Sequence, residues 1–361
     1  MRQRLHYFDM LKGLAIFMVV MGHVITFCVR EIDRTALFKI IAAIHMPLFF
    51  FISGWMTGSS TKAPALGKRA LQLLVPMLAC SSLWILYFPH SGLGTPFDSS
   101  FAGLWTDKFK NGYWFTLVLF EIIAIYAAVR PILHRSRSMW IEIVVYGIPT
   151  ALFLYLYGKF ENTTACRVLS WQFVAEFFPV FAFGVIAAQR SEVFLKSVAK
   201  PAVSTAALIV LALSLYAVRW PWDLPFLGTV SLAICNIAMQ MSLAVVALAV
   251  VIPWSAEAYA PDASGHRWAR MWSYIGTQSL TIYLLHYFFL FPMGWARPWL
   301  EASALGFVPA FVLSCATAAV IVAVVLCLNR ILKVSPLLAW LLGGHLPPFL
   351  KKKTKPQVAN G

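Results

Sequence analysis

The chain has 361 residues, of which 60% are hydrophobic and only 12% are charged, and its formal net charge is +15. Soluble domains of this size usually carry about 25% charged residues, so the composition excludes an ordinary water-soluble protein and indicates a chain surrounded by lipid. The positive charge does not indicate nucleic-acid binding. Most Lys and Arg lie in short gaps between apolar runs, as they do in loops beside an anionic membrane leaflet.

Ten apolar segments follow one another along the chain, each near the ~20 residues that cross a ~30 Å hydrocarbon layer. They lie at about 8–29, 36–57, 71–89, 113–130, 139–158, 171–189, 201–219, 226–252, 272–294 and 304–329. The predicted fold class is therefore all-α: a polytopic integral membrane protein with about ten transmembrane helices. The first segment is long and is not followed by a small-residue cleavage site, so we expect it to remain as a membrane helix.

The distribution of basic residues predicts the orientation of these segments. Twenty of the 29 Lys and Arg fall in the N-terminal region, the C-terminal region and the gaps after even-numbered segments. The richer set faces the cytoplasm, so both termini are predicted to be cytoplasmic, which requires an even number of spans. Residues 1–335 are predicted to form one ten-helix membrane domain, and residues 336–361 a basic cytoplasmic tail.

Four ionisable side chains lie well inside the segments, where charge is costly and by default marks a functional site. They are His23, His45, Glu121 and His286. Glu142 and Glu176 are weaker cases, because each lies within a few residues of a segment end. At 1.5 Å per residue, the first four lie ~9–14 Å below the predicted outer surface. A shared level predicts one buried polar chamber; the alternative is that each histidine only hydrogen-bonds a neighbouring helix.

Polar residues that share one face of a helix support such a chamber. His23 follows Lys12 by eleven residues, and eleven steps of 100° end about 20° from whole turns, so the two lie on one stripe about 16 Å apart along the axis. This stripe links the predicted cytoplasmic mouth to the chamber, although a lone lysine at a helix end is commonly an interfacial anchor. Two further faces carry polar groups, namely Ser279, Tyr283 and His286 in the ninth segment and Trp114 and Glu121 in the fourth.

A neutral histidine in a dry pocket is a suitable general base near neutral pH, and a nearby Glu121 would orient an imidazole or act as a protonated donor. Zinc held by three histidines is an alternative, but no ligand spacing supports it and no metal is expected. The six cysteines show no close pairing, and the sequence does not decide whether Cys28 and Cys166 pair. A proton-coupled transporter is the rival interpretation, because such proteins also bury His and Glu along a path.

Three stretches resemble the acyltransferase-3 family of bacterial membrane O-acyltransferases, which modify cell-surface glycans. The first runs from YFDMLKGLAI at 7–16 to Gly22 and His23, and it matches the family signature of a basic residue, ten others and a histidine. The other two are HMPLFFFISG at 45–54 and GTQSLTIYLLH at 276–286. The resemblance covers nearly the whole chain, and the nearest branch is that of the fucose 4-O-acetylase-like proteins.

The resemblance implies a multi-pass protein of the bacterial inner membrane that binds acyl-CoA, most simply acetyl-CoA, from the cytoplasm. The coenzyme A phosphates would lie near Lys12, Lys68 and Arg69. Gln72 departs from the family pattern, because members commonly carry a second arginine there. The acceptor hydroxyl, on an outward-facing cell-surface or lipid-linked carbohydrate, would enter from the outer side.

The resemblance also implies roles for the buried side chains. His23 would act as general base or transient acyl carrier, assisted by Lys12 and Glu121. Contacts to the substrate are expected from His45, Ser53, Trp114, Tyr283 and His286, of which Tyr283 would donate to the developing oxyanion. Two alternatives remain open: a transporter or flippase for a small polar solute or lipid-linked sugar, and a non-catalytic subunit of a glycan assembly complex.

Overall fold

A computed structural model describes residues 5–29, 36–93, 100–135, 138–221, 228–258, 267–296 and 307–350. Within these ranges every regular element is helical, which confirms the all-α prediction for the part described. Nine of these helices are long and apolar enough to cross a membrane. Large apolar side chains such as Ile148 and Leu213 are more than half exposed, as expected for lipid-facing positions. The chain is a multi-pass membrane protein.

The first eight predicted segments and the tenth each form one long helix. They are α1 (His6–His23), α2 (Ala36–Gly58), α3 (Leu66–Tyr87), α4 (Trp114–Arg135), α5 (Met139–Phe160), α6 (Trp171–Gln189), α7 (Pro201–Arg219), α8 (Thr229–Ala258) and α11 (Phe307–Leu332). Several helices, such as α8, continue past the predicted ends, because polar residues can follow the apolar stretch without interrupting the helical hydrogen bonds.

The ninth segment, predicted as a single span over 272–294, is not a continuous helix. It divides into α9 (Arg267–Thr277) and α10 (Ser279–Leu285), and a 3₁₀ turn follows at His286–Phe289. At the break, the side-chain oxygen of Gln278 accepts hydrogen bonds from Asn329, in the last turn of α11, at 2.7 Å and from Lys333, directly after α11, at 3.1 Å. Irregular backbone at membrane depth needs partners within the protein, and the neighbouring α11 supplies side chains that hold this break.

Helix α1 lies inside the bundle and contacts α2, α8, α9 and α11. Its closest crossing is with α9, at two glycines. A Cβ on Gly13 would collide with the carbonyl of Trp272, and a Cβ on Gly276 would collide with the carbonyl of Asp9. Small residues allow membrane helices to approach this closely, so the glycine pair fixes how α1 sits against the broken ninth segment.

The start of α1 and the end of α11 both lie beside the ninth segment. At the start of α1, the His6 carbonyl accepts a hydrogen bond from Ser273 at 3.2 Å. At the end of α11, Lys333 donates to Gln278, little more than one turn away from Ser273. The two ends therefore lie on the same side of the bundle; their cytoplasmic location stays a prediction from the basic-residue count.

Residues after α11 pack against the bundle. The indole nitrogen of Trp340 donates to the Leu71 carbonyl at 2.7 Å, and Thr281 on α10 donates to the Gly343 carbonyl at 2.6 Å. The segment 336–346 thus fills space between α3 and α10. The boundary predicted at residue 335 stays a prediction, and the tail lysines from 351 onward lie outside the described residues.

Candidate functional site

Two of the predicted histidines meet inside the bundle. Nδ1 of His23, at the end of α1, lies 2.6 Å from Nε2 of His286, and the two rings are nearly parallel, with an interplanar angle of 6°. His286 is fully buried, whereas His23 remains partly accessible. The contact joins residues 263 positions apart in the chain.

The surroundings of His286 determine which nitrogens carry hydrogen. Its Nδ1 lies 2.9 Å from the carbonyl of Ile282, and because a carbonyl only accepts, this nitrogen must be the donor. A neutral His286 then presents a lone pair at Nε2, which accepts the hydrogen on Nδ1 of His23. It follows that neutral His23 carries its own lone pair at Nε2, the atom a general base would use.

Local backbone features position both imidazoles. His23 is the last residue of the regular part of α1, and a π-helical segment, Val24–Val29, follows it. Such wide turns are rare and are found frequently at functional sites. His286 is the first residue of the 3₁₀ turn after α10, so the break-up of the ninth helix brings its side chain to α1.

Tyr287 is the third member of this group and is not among the predicted site residues. Its hydroxyl lies 3.1 Å from Nε2 of His23 and 3.3 Å from the carbonyl of Gly112, so its hydrogen has two alternative acceptors. The ring packs 4.8 Å from that of His23 and 4.3 Å from that of His286. Since the hydroxyl can turn to Gly112, it can leave Nε2 of His23 free for another partner.

The loop before α4 packs against Tyr287. Lys110, Asn111 and Gly112 all have positive φ angles, and a Cβ on Gly112 would collide with the hydroxyl of Tyr287. The Lys110 amine is buried and donates to three carbonyls at 2.7–3.0 Å, those of Trp105, Asp107 and Arg167. Burial lowers the pKa of Lys110 to about 8, although the nearby Asp107 and Glu121 act to raise it.

A cavity of about 290 Å³ adjoins the predicted donor side of α1, and we call it the central cavity. Its lining includes Lys12, Ile16 and Val19, which occupy one face of α1 and lead toward His23 on the same stripe. Three predicted site residues also line it, namely Ser53, Arg69 and Tyr283. The lining is mainly apolar apart from these groups, Thr57, Gln72 and Ser279, which suits a long ligand with polar ends.

The cationic groups at the mouth of the cavity have partners within the protein. Lys12 forms a 2.8 Å ion pair with Asp9. Arg69 lies 3.4 Å from the side-chain oxygen of Gln72, which places the residue that departs from the family pattern in contact with the arginine. Arg69 also lines a second cleft of about 350 Å³ together with Lys62 and Lys68. The predicted phosphate-binding residues therefore lie around one opening.

Other predicted residues lie apart from the His23–His286 pair. His45 is close enough to His23 to interact electrostatically, and its Nδ1 donates to the Ile41 carbonyl at 2.6 Å. One carboxylate oxygen of Glu121 is buried without a hydrogen-bond partner among the described residues, and its charge interacts with Lys110. Trp114 stacks on Phe173, with ring centroids 4.1 Å apart, within an aromatic cluster.

The hydroxyl of Tyr283 is already engaged on both sides. It donates to the Gly112 carbonyl at 2.9 Å and accepts from the backbone N–H of Phe115 at 3.3 Å. These bonds join α10 to the start of α4 and use the hydrogen that a contact with an oxyanion would need. Tyr287, at the adjacent turn, is the hydroxyl that reaches His23.

Neither a metal site nor a disulfide emerges from the described residues. No group of three His, Cys, Asp or Glu side chains among them is placed to hold a metal ion. The cysteines are free, and Cys28 and Cys166 are both buried.

Comparison with known proteins identifies the family. A family model described as an acyltransferase domain, that of acyltransferase-3, matches residues 5–328. The chain belongs to this family. The match extends from the first turn of α1 almost to the end of α11, so it includes both histidines of the buried pair.

Two nodulation proteins named NolL are similar to part of this acyltransferase-3 chain. The protein from Sinorhizobium fredii is 35% identical over 149 residues, which cover 37% of this chain and 38% of that protein. The one from Mesorhizobium japonicum is 33% identical over 148 residues, with the same two coverages. The chain thus spans under two fifths of the length of the curated relatives it matches. No solved structure matches it.

In this acyltransferase-3 chain the two residues of the family signature on α1, Lys12 and His23, lie at the central cavity and at the histidine pair respectively. A sequence signal for the supporting loop was available, because Asn-Gly at 111–112 is a turn dipeptide that tolerates positive φ. No local signal identifies Tyr287, since its role depends on the broken ninth helix.

Proposed function

We propose that the chain is a membrane O-acyltransferase that moves an acyl group, most simply acetyl, from cytoplasmic acyl-CoA to a hydroxyl of an outward-facing carbohydrate. The observation that carries this proposal is the position of His23. Its Nε2 lone pair, fixed by His286, lies on the α1 stripe that continues from the wall of the central cavity. A base located between a donor cavity and the opposite side of the bundle suits transfer across the membrane.

The central cavity fits the acyl donor in the chemistry of its lining. Lys12 and Arg69 lie near its mouth, and Lys62 and Lys68 line the adjoining cleft, so cationic groups surround the place expected for the coenzyme A phosphates. The apolar wall formed by Ile16 and Val19 would contact the pantetheine arm. This arrangement directs the thioester toward His23.

In the simpler reaction, Nε2 of His23 takes the proton from the acceptor hydroxyl while the oxygen attacks the thioester carbonyl. The carbon–sulfur bond then breaks, and the imidazolium returns the proton to the departing thiolate, giving free coenzyme A and an ester. In the two-step alternative, Nε2 attacks the carbonyl itself, the carbon–sulfur bond breaks, and coenzyme A leaves as the thiolate. The acceptor hydroxyl then attacks the acyl-imidazolium, the ester forms, neutral His23 is restored, and the released proton balances the one taken up by the thiolate. In both cases the Tyr287 hydroxyl turns to Gly112 when Nε2 reacts.

The proposed setting is the bacterial inner membrane, with Lys12 on the cytoplasmic side. The surplus of basic residues at the two ends and in the even-numbered gaps supports this orientation. The family match supports acyl transfer as the reaction class, and the resemblance noted in the sequence supports a carbohydrate acceptor.

The test is acetyl-CoA turnover by purified protein reconstituted in lipid, with thiol release as the readout and a panel of sugar acceptors. Loss of a general base predicts a decrease of at least ~10²-fold for His23→Ala. His90→Ala, which alters an exposed histidine beyond α3, is the matched control and should keep the wild-type rate.

Equal turnover by His23→Ala and the wild type would contradict the assignment of His23. If the wild-type protein releases no thiol with any acceptor but takes up sugar into vesicles, the transporter interpretation replaces the enzyme. An acyl group found on His23 would select the two-step reaction over direct base catalysis.

A further inference from the structure

A second polar cluster lies within the membrane-spanning helices, apart from the central cavity. The amide of Asn236 on α8 faces the carboxylate of Glu176 on α6, and Arg219 at the end of α7 interacts electrostatically with the same carboxylate. Three helices thus direct an acid, an amide and a guanidinium toward one place. All three side chains are only partly buried.

Gln240 extends this cluster toward the interior. It follows Asn236 by four residues on α8, so the two amides lie on one face, a single turn apart. Gln240 is only 1% exposed, yet neither its amide nitrogen nor its amide oxygen has a hydrogen-bond partner among the described residues. The Nε atom of Arg219 is also buried without a partner in the described part of the chain.

Unsatisfied groups of this kind are costly. A buried amide with no partner loses about 1–3 kcal/mol relative to its hydrated state, and the cost is greater for a charged group. Native proteins satisfy nearly all such atoms, and the exceptions point to a bound water or ligand. Both amide atoms of Gln240 remain open, one helical turn from the amide of Asn236 that faces Glu176, which indicates a site for a ligand that both donates and accepts.

The cluster is connected to the reacting histidine through His45. His45 interacts electrostatically with Arg219 in addition to its interaction with His23. The Nδ1 atom of His45 is committed to the Ile41 carbonyl, so its Nε2 carries the lone pair in the neutral form. Electrostatic interactions of His45 therefore link the Glu176 cluster to His23.

We propose that Glu176, Arg219, Asn236 and Gln240 form the acceptor subsite, which recognises neighbouring hydroxyl groups on a sugar ring and directs one of them to His23. The proposal rests on the proposed acyltransferase function and assigns its acceptor side. Each sugar hydroxyl both donates and accepts a hydrogen bond. A carboxylate accepts, a guanidinium donates and an amide does both, so the four side chains match a pair of adjacent hydroxyls.

The experiment compares Gln240→Leu and Glu176→Gln with wild-type protein in lipid. Ser242→Ala is the control, because this buried hydroxyl on the same helix is already bonded to the carbonyls of its own helix at Ala238 and Met239. The probes are the methyl pyranosides of D-glucose, D-galactose, D-mannose, L-fucose and L-rhamnose. Two rates are measured: acetyl-CoA hydrolysis without sugar, and thiol release as a function of sugar concentration.

We expect Gln240→Leu and Glu176→Gln each to raise the KM for the best sugar by about 10-fold or more, since each removes hydrogen bonds to a buried ligand. The KM for acetyl-CoA and the sugar-independent hydrolysis should stay within about twofold of wild type, as should all values for the Ser242→Ala control. Unchanged thermal unfolding would show that the variants fold.

Three results would overturn the subsite: an unchanged sugar KM in both variants, an equal rise in the KM for acetyl-CoA, or hydrolysis that depends on His23 but responds to none of the five sugars. Failure of the proposed function would look different. In that case the wild-type protein itself would release no thiol from acetyl-CoA.

Discussion

The hydrogen bond between His23 and His286 leads to a quantitative prediction. His286→Leu substitutes an apolar side chain of comparable size and removes the acceptor that faces Nδ1 of His23 at 2.6 Å. The Nδ1 hydrogen then has no partner, and a neutral His23 is free to place its hydrogen on Nε2, which is the unreactive tautomer.

The magnitude follows from the cost of a buried donor without a partner, about 1–3 kcal/mol. If that cost falls on the reactive tautomer, kcat for acetyl-CoA turnover falls by about 5- to 150-fold. His286→Gln provides a conservative test, because a side-chain amide oxygen can accept from Nδ1 and should restore part of the rate. The KM for acetyl-CoA should change little in either variant, since His286 does not line the central cavity.

The assay is steady-state thiol release in lipid, with unfolding temperatures measured in parallel to separate a loss of fold from a loss of rate. His90→Leu serves as the control for removing an exposed histidine. The reasoning is refuted if His286→Leu retains the wild-type kcat, or if His286→Gln is as slow as His286→Leu although both are folded.

Two further predictions concern glycines. Gly112→Ala should abolish most turnover and lower the unfolding temperature, because the added methyl group collides with the Tyr287 hydroxyl. Gly92→Ala is the control, because Gly92 also has a positive φ but its added methyl group would have only a 3.4 Å contact. This control should lose only the stability that backbone strain costs, about 1–3 kcal/mol. Gly276→Val should prevent α9 from packing on α1, so we expect a large loss of folded protein in size-exclusion chromatography. Gly147→Val is the control and should leave the yield of folded protein unchanged, because a Cβ on Gly147 would meet no other atom within 4 Å.

The membrane spans could be predicted from the sequence because the signal is local. An apolar run of about 20 residues must be helical in lipid, whatever surrounds it. Eight successive segments and the last one accordingly appear as single helices. The ninth was wrong as a continuous span, because its break at Gln278 depends on side chains from α11 that hydropathy does not register.

The candidate site was accessible to sequence reasoning only in part. Helical periodicity placed Lys12 and His23 on one stripe, and the structure lines the central cavity with the residues between them. The same argument could not find the contact between His23 and His286, since rotation of one helix relative to another is set by packing. Tyr287 was missed for that reason, because a regular helix would point it away from its neighbour His286.

The acidic residues illustrate a further limit. Depth along a helix suggested that Glu121 shares a chamber with the histidines, yet its described interaction is with Lys110. Glu176 is a weaker prediction from the sequence because it lies near a segment end, but in the structure groups from two other helices face it. Depth fixes a level in the membrane, whereas the partner of a side chain depends on which face it occupies.

The most direct test of the central claim uses sealed vesicles with acetyl-labelled acetyl-CoA outside and the best methyl pyranoside enclosed. The account predicts that labelled sugar ester accumulates inside vesicles that contain wild-type protein, while His23→Ala vesicles form at least ~10²-fold less. Ester that forms only when donor and sugar are on the same side, or equally well in His23→Ala vesicles, would contradict transfer through His23 across the membrane.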